Sequence, residues 1–85
     1  MTYSVRIKAS AAEQLARLDV GTRRMLVEQV DRLAIDPRVG TVLKGEGDGL
    51  RRVRVGAHRI VFEVRNRELL VLVVRVGHRS SVYRS

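Results

Sequence analysis

The chain has no cysteine, one proline, two histidines and three aromatic residues, none of them tryptophan. Without cysteine there is no disulfide framework and no thiolate metal site, and His58 and His78 lie too far apart in sequence to suggest a zinc cluster. Tyr3, Phe62 and Tyr83 are too few for a stacking platform of the single-strand-binding kind. Long apolar runs are missing as well. The longest uncharged one, Leu69 to Val74, is far shorter than the roughly 20 residues a bilayer-spanning helix needs. Met1 leads straight into "TYSVRIK" with no basic n-region and apolar h-region, so no signal peptide is expected and a reducing cytoplasm is the expected compartment. A single domain covering residues 1–85 is expected, because a fold of this size buries only roughly 60 to 65% of its extended-chain surface and cannot feed two cores.

Acid is scarce by position. The 17 Lys and Arg against 9 Asp and Glu give a net charge of +8. Residues 1–48 hold eight cations and seven anions, whereas residues 49–85 hold nine arginines and only Glu63 and Glu68. The second half therefore builds the basic surface, and an anionic partner is implied more readily than an apolar one.

The hydropathy pattern orders the elements. "TYSVRIK" alternates Tyr3, Val5 and Ile7 against Ser4, Arg6 and Lys8, the period of a half-buried strand. Ser10 with Glu13 has the form of a capping box, and Ala11, Leu15 and Leu18 fall at helical spacing up to about Asp19. Val20 and Gly21 interrupt, and Thr22 is the expected cap of a second helix through Ile35 with Leu26, Val30 and Leu33 on its apolar side. "DP" at 36 and 37 stops it. Residues 37–49 hold four glycines and read as an irregular, mobile loop pinned by Leu43. Strands are expected at Leu50 to Val55, Arg59 to Arg65 and Leu69 to Val76. The expected fold is α+β, in the order β-α-α-β-β-β, with a helical hairpin on one face of a mainly antiparallel four-stranded sheet.

Period-two alternation also aims the arginines. In "LRRVRV", Val53 and Val55 take one side and Arg52 and Arg54 the other. In the next strand Ile60, Phe62 and Val64 take the apolar side, leaving Arg59, Val61 and Glu63 opposite, on the face of Arg52 and Arg54 if the hairpin keeps register. The last strand is apolar on both sides, as a central strand is, and releases Arg75, His78 and Arg79 at its end. Two readings stand: a site for phosphate, which arginine's planar fork matches bidentately, and a merely solvated sheet face. Like charges crowded without acids favour the first. Arg51, Arg52, Arg75, Arg84 and Lys44 are the candidate contacts to nucleic acid.

The element order, with "LRRVRVGAHRIVFEV" and the terminal "VVRVGHRSSVYR", resembles the RelE-type toxins of the RelE/ParE superfamily over nearly the whole chain. Its most specific parts are Gly56 to Phe62 and Gly77 to Arg84. The resemblance implies a ribosome-dependent endoribonuclease that cuts mRNA in the decoding site and is held by a cognate antitoxin. It places the family's basic pair on Arg52 and Arg54, where well-studied members carry lysine, and the remaining functional positions on Arg59, Arg79 and Tyr83. The ParE branch, which acts on DNA gyrase, generally lacks the Arg59, Arg79 and Tyr83 set. A basic RNA-binding module without chemistry is the third alternative.

Cleavage by a neighbouring 2′-hydroxyl needs that hydroxyl deprotonated, the phosphorane charge stabilised and the leaving oxygen protonated. Arg52, Arg54, Arg59 and Arg79 suit the electrostatic part, and Tyr83 suits orientation of the hydroxyl or stacking. Histidine is the side-chain type that titrates near neutrality, and His78, beside Arg79, is the candidate for proton transfer; the plainer reading is an exposed turn histidine. Glu63 is expected to pair with a cross-strand arginine rather than act in catalysis. "GEGDG" lacks the Lys-Ser or Lys-Thr of a nucleotide loop, and no metal or small-molecule cofactor is called for.

Overall fold

A computed structural model describes residues 2–42 and 50–78. Strand β1, Ser4–Ile7, leads into helix α1, Ala9–Ala16, and helix α2, Val20–Ile35. A short 3-10 turn, Pro37–Val39, and a two-residue strand, β2, Thr41–Val42, follow. Strands β3, Leu50–Val55, β4, His58–Arg65, and β5, Leu70–His78, complete one sheet in the order β1-β5-β4-β3-β2. All neighbours are antiparallel except β1 and β5, which run parallel. The fold is α+β as expected, with one correction: the sheet has five strands, because Thr41 and Val42, expected within an irregular loop, pair with Arg52 and Arg51. Two residues carry no readable periodicity, so this strand is visible only through its partner. Leu43, the expected anchor of that loop, lies outside the described residues.

One face of the sheet is covered by the helices. Ala11 and Leu15 of α1 and Leu26, Val30 and Leu33 of α2 pack on Ile60, Phe62, Val71, Val73 and Val76. Burying an aliphatic side chain of this size contributes about 1.5–3 kcal/mol, so these residues carry most of the stability. The last strand is central, as its apolar run implies, and lies between β1 and β4. A bulge near Val61 and Phe62 sets Arg75 opposite Val61 and Val73 opposite Phe62, with Val74 as the extra residue. This lets both Val73 and Val76 reach the core while Arg75 faces away from it.

The helix caps differ from expectation. Lys8, not Ser10, stands at the N-cap of α1 and gives no side-chain hydrogen bond; Ser10 lies inside the helix. Asp19, not Thr22, caps α2: its carboxylate accepts from the Thr22 backbone N–H at 3.1 Å and from the Thr22 hydroxyl at 2.6 Å. Val20 and Gly21 thus form the first turn instead of a break. Those bonds from Thr22, side chain first, hold the Asp19 carboxyl below the usual carboxylate range. The helix does end at Ile35, where Asp36 turns the chain and accepts from Arg38.

Candidate functional site

The turn between β3 and β4 fixes the register that builds the site. Gly56 at φ +59 and Ala57 join Val55 directly to its partner His58, a two-residue hairpin with glycine at the first central position. With the turn set, Arg54 faces Arg59 and Arg52 faces Val61, so all three arginines share the face that the helices leave open. Side chains in directly opposed positions start from Cβ atoms roughly 4.5–5.5 Å apart, close enough for two guanidiniums to flank one phosphate.

Arg59 forms the floor. It is 5% exposed, the one charged side chain buried among the described residues. Its β5 neighbour is Gly77, so no side chain from that strand lies opposite it. Above it opens a recess of about 250 Å³ lined by Val39, Thr41, Arg52, Val53, Arg54 and Arg59. Arg75 extends the row onto β5 through its pairing with Val61.

Among the described residues, the acid of this strand face lies away from the recess. Glu63 sits farther along β4 between Leu50 and Leu72 in register, and Arg65 of the same strand bonds it at 2.8 Å. The expected cross-strand arginine partner is therefore replaced by an i+2 neighbour, which alternation places on the same face. That hydrogen bond, then the charges of Glu63 and Glu68, raise the basicity of Arg65. Glu63 is thus occupied by Arg65, away from the recess.

Two expected site residues fall on the other face. Arg51 pairs with Phe62 across the hairpin, and its Nη1 donates to the Gly40 carbonyl at 2.9 Å. His78 pairs with His58, the two rings meeting edge to face at 5.7 Å between centroids. Because Arg59 and His58 are consecutive on a strand, the histidine pair is turned from the arginines by the same alternation that gathers them. The structure thus brings together Arg52, Arg54, Arg59 and Arg75 but not Arg51 or His78. Arg79, Tyr83, Arg84 and Lys44 lie outside the described residues. Sequence reading missed Val39 and Thr41 as recess walls; their signal is a short segment that returns beside an arginine-bearing strand. Among the described residues no three histidines or carboxylates gather as a metal site, and no helix is long and apolar enough to cross a membrane.

The fold matches those of solved RelE structures. The isolated Escherichia coli RelE toxin matches with a TM-score of 0.80 over 95% of this chain and 90% of its own, at 23% identity, a likeness of fold. The RelBE2 toxin–antitoxin complex from Mycobacterium tuberculosis matches with a TM-score of 0.85 over 94% of each chain at 29% identity. The archaeal RelE–RelB complex from Pyrococcus horikoshii OT3 matches at 0.78 over the whole of both chains, at 27% identity. In sequence, the chain is 31% identical over 86 aligned positions to Toxin RelG of Mycobacterium tuberculosis, covering 99% of each. The family model for the ParE toxin of the type II toxin–antitoxin system, parDE, matches residues 5–83. The chain belongs to this family of toxins, within the RelE/ParE superfamily.

Proposed function

We propose that this chain is a ribosome-dependent endoribonuclease, the toxin of a type II module, which cuts translated mRNA and is restrained by a cognate antitoxin. The observation that carries the reading is the direct opposition of Arg54 and Arg59 on the open face, with Arg52 beside them around one recess. In the reaction the ribose 2′-oxygen loses its proton and bonds to phosphorus, the bond to the 5′-oxygen breaks, and that oxygen takes up a proton. Arg54 and Arg59 neutralise the two phosphorane charges, and Arg59, set in a low-dielectric floor, acts more strongly there than an exposed cation does. Arg52 and Arg75 hold flanking phosphates. By resemblance, Arg79 adds to the charge clamp and Tyr83 orients the 2′-hydroxyl. Arginine keeps its proton throughout, so these five arginines position and stabilise but do not act as the base. An acidic antitoxin segment laid over the same face removes substrate access and the charge repulsion together.

The match to the ParE toxin family favours a second reading, which the resemblance to the ParE branch implies: inhibition of DNA gyrase without chemistry. One experiment separates them. Purified protein is added to a translating extract, mRNA 5′ ends are mapped, and gyrase supercoiling is measured in parallel. Codon-spaced cuts that require ribosomes are the expected result; blocked supercoiling without cuts establishes the second reading, and neither effect leaves a basic binding module.

A further inference from the structure

Resting on the nuclease reading above, we propose that Arg51 is a positioning residue: it fixes the Val39 and Thr41 wall of the arginine recess through the Gly40 carbonyl and makes no contact with nucleic acid. Three observations converge. Arg51 shares its face with Phe62, whereas Arg52 and Arg54 point to the recess side. Its guanidinium is engaged within the molecule, with Nη1 bonded at 2.9 Å to the Gly40 carbonyl in a half-buried setting. Gly40 itself is seated so closely that an added Cβ would lie 2.7 Å from the Phe62 ring and 2.8 Å from the Arg52 carbonyl oxygen.

The segment needs such an anchor. Among the described residues, strand β2 is two exposed positions at the sheet edge, paired with Arg51 and Arg52. On its N-terminal side the Asp36 carboxylate holds Arg38, and beyond it Gly40 rests on Phe62. Arg51 closes the gap between them with a charge-assisted bond. Val39 and Thr41, on either side of Gly40, then stand along the recess where a nucleotide flanking the scissile phosphate would lie.

The test compares Arg51→Met with Arg52→Met. Amide hydrogen exchange at residues 40–42 is expected to rise at least tenfold in Arg51→Met, with the β4–β5 amides unchanged, and to stay near wild type in Arg52→Met. The salt dependence of binding to mRNA-programmed ribosomes is expected to lose about one unit of slope in Arg52→Met and none in Arg51→Met, while Arg51→Met cuts more slowly once bound. Unchanged exchange at residues 40–42, or a slope lost as in Arg52→Met, overturns the proposal. Wild-type protein that binds no ribosomes sinks the functional reading instead, and the exchange comparison still decides the role of Arg51.

Discussion

Arg54 and Arg59 are direct cross-strand partners on the sheet face turned from the helices, set opposite each other by a two-residue turn. Like charges directly opposite each other oppose folding, a cost that the proposed function accounts for by an anion held between them. Replacing Arg54 by Thr, a good strand former, should therefore stabilise the isolated protein. The expected gain is about 0.2–1 kcal/mol, or a few degrees in the thermal midpoint. A lower midpoint would mean that Arg54 supports the fold.

His78 supplies a contrasting case. Its ring meets His58 on the face turned from Arg59, so His78→Ala should reduce mRNA cleavage in an extract by no more than severalfold. A loss as deep as that of an arginine variant would return His78 to proton transfer.

The Asp19 cap gives stability a sign in pH. Its folded-state pKa is lowered, chiefly by the Thr22 hydroxyl, so its contribution is present above the unfolded-state value near 3.8 and is lost as pH falls through the lower folded value. Asp19→Ala should unfold at lower urea than wild type at pH 7, and the gap should close as pH drops below the ordinary carboxylate range. An equal gap at both ends would assign the effect to helix propensity alone.

Gly56 holds φ +59 with open space around its Cα. Gly56→Ala should thus cost about 1 kcal/mol through backbone strain alone, measured by urea titration, with no side-chain clash to add. A neutral result would show that the turn has relaxed, and the β3–β4 register would then need to be checked by amide exchange.

Much of this was legible in the sequence for a definite reason: amphipathic periods report burial. Leu26, Val30 and Leu33 named the inner stripe of α2, and "LRRVRV" gave the whole of β3, because each set repeats often enough to be read. Features decided by one or two residues were harder. Asp19 and Thr22 are both good caps three positions apart, and nothing local says that the aspartate accepts while the threonine donates. Leu69 adopts φ +49 and so belongs to the turn, which starts β5 at Leu70, and no apolar pattern announces that. For the site, the same alternation, carried to Arg51 and His78, sets Arg51 on the side of Val53 and His78 on the side away from Gly77. Net charge drew both toward the candidate site, but strand geometry sets them apart from the recess arginines.

The most direct test counts mRNA ends in a translating extract for Arg54→Met and Arg59→Met, each shown to be folded by circular dichroism and to bind ribosomes. The account predicts that both lose cleavage by roughly a hundredfold or more, as removal of a transition-state donor does. Cut ends appearing at the wild-type rate with either variant would contradict it.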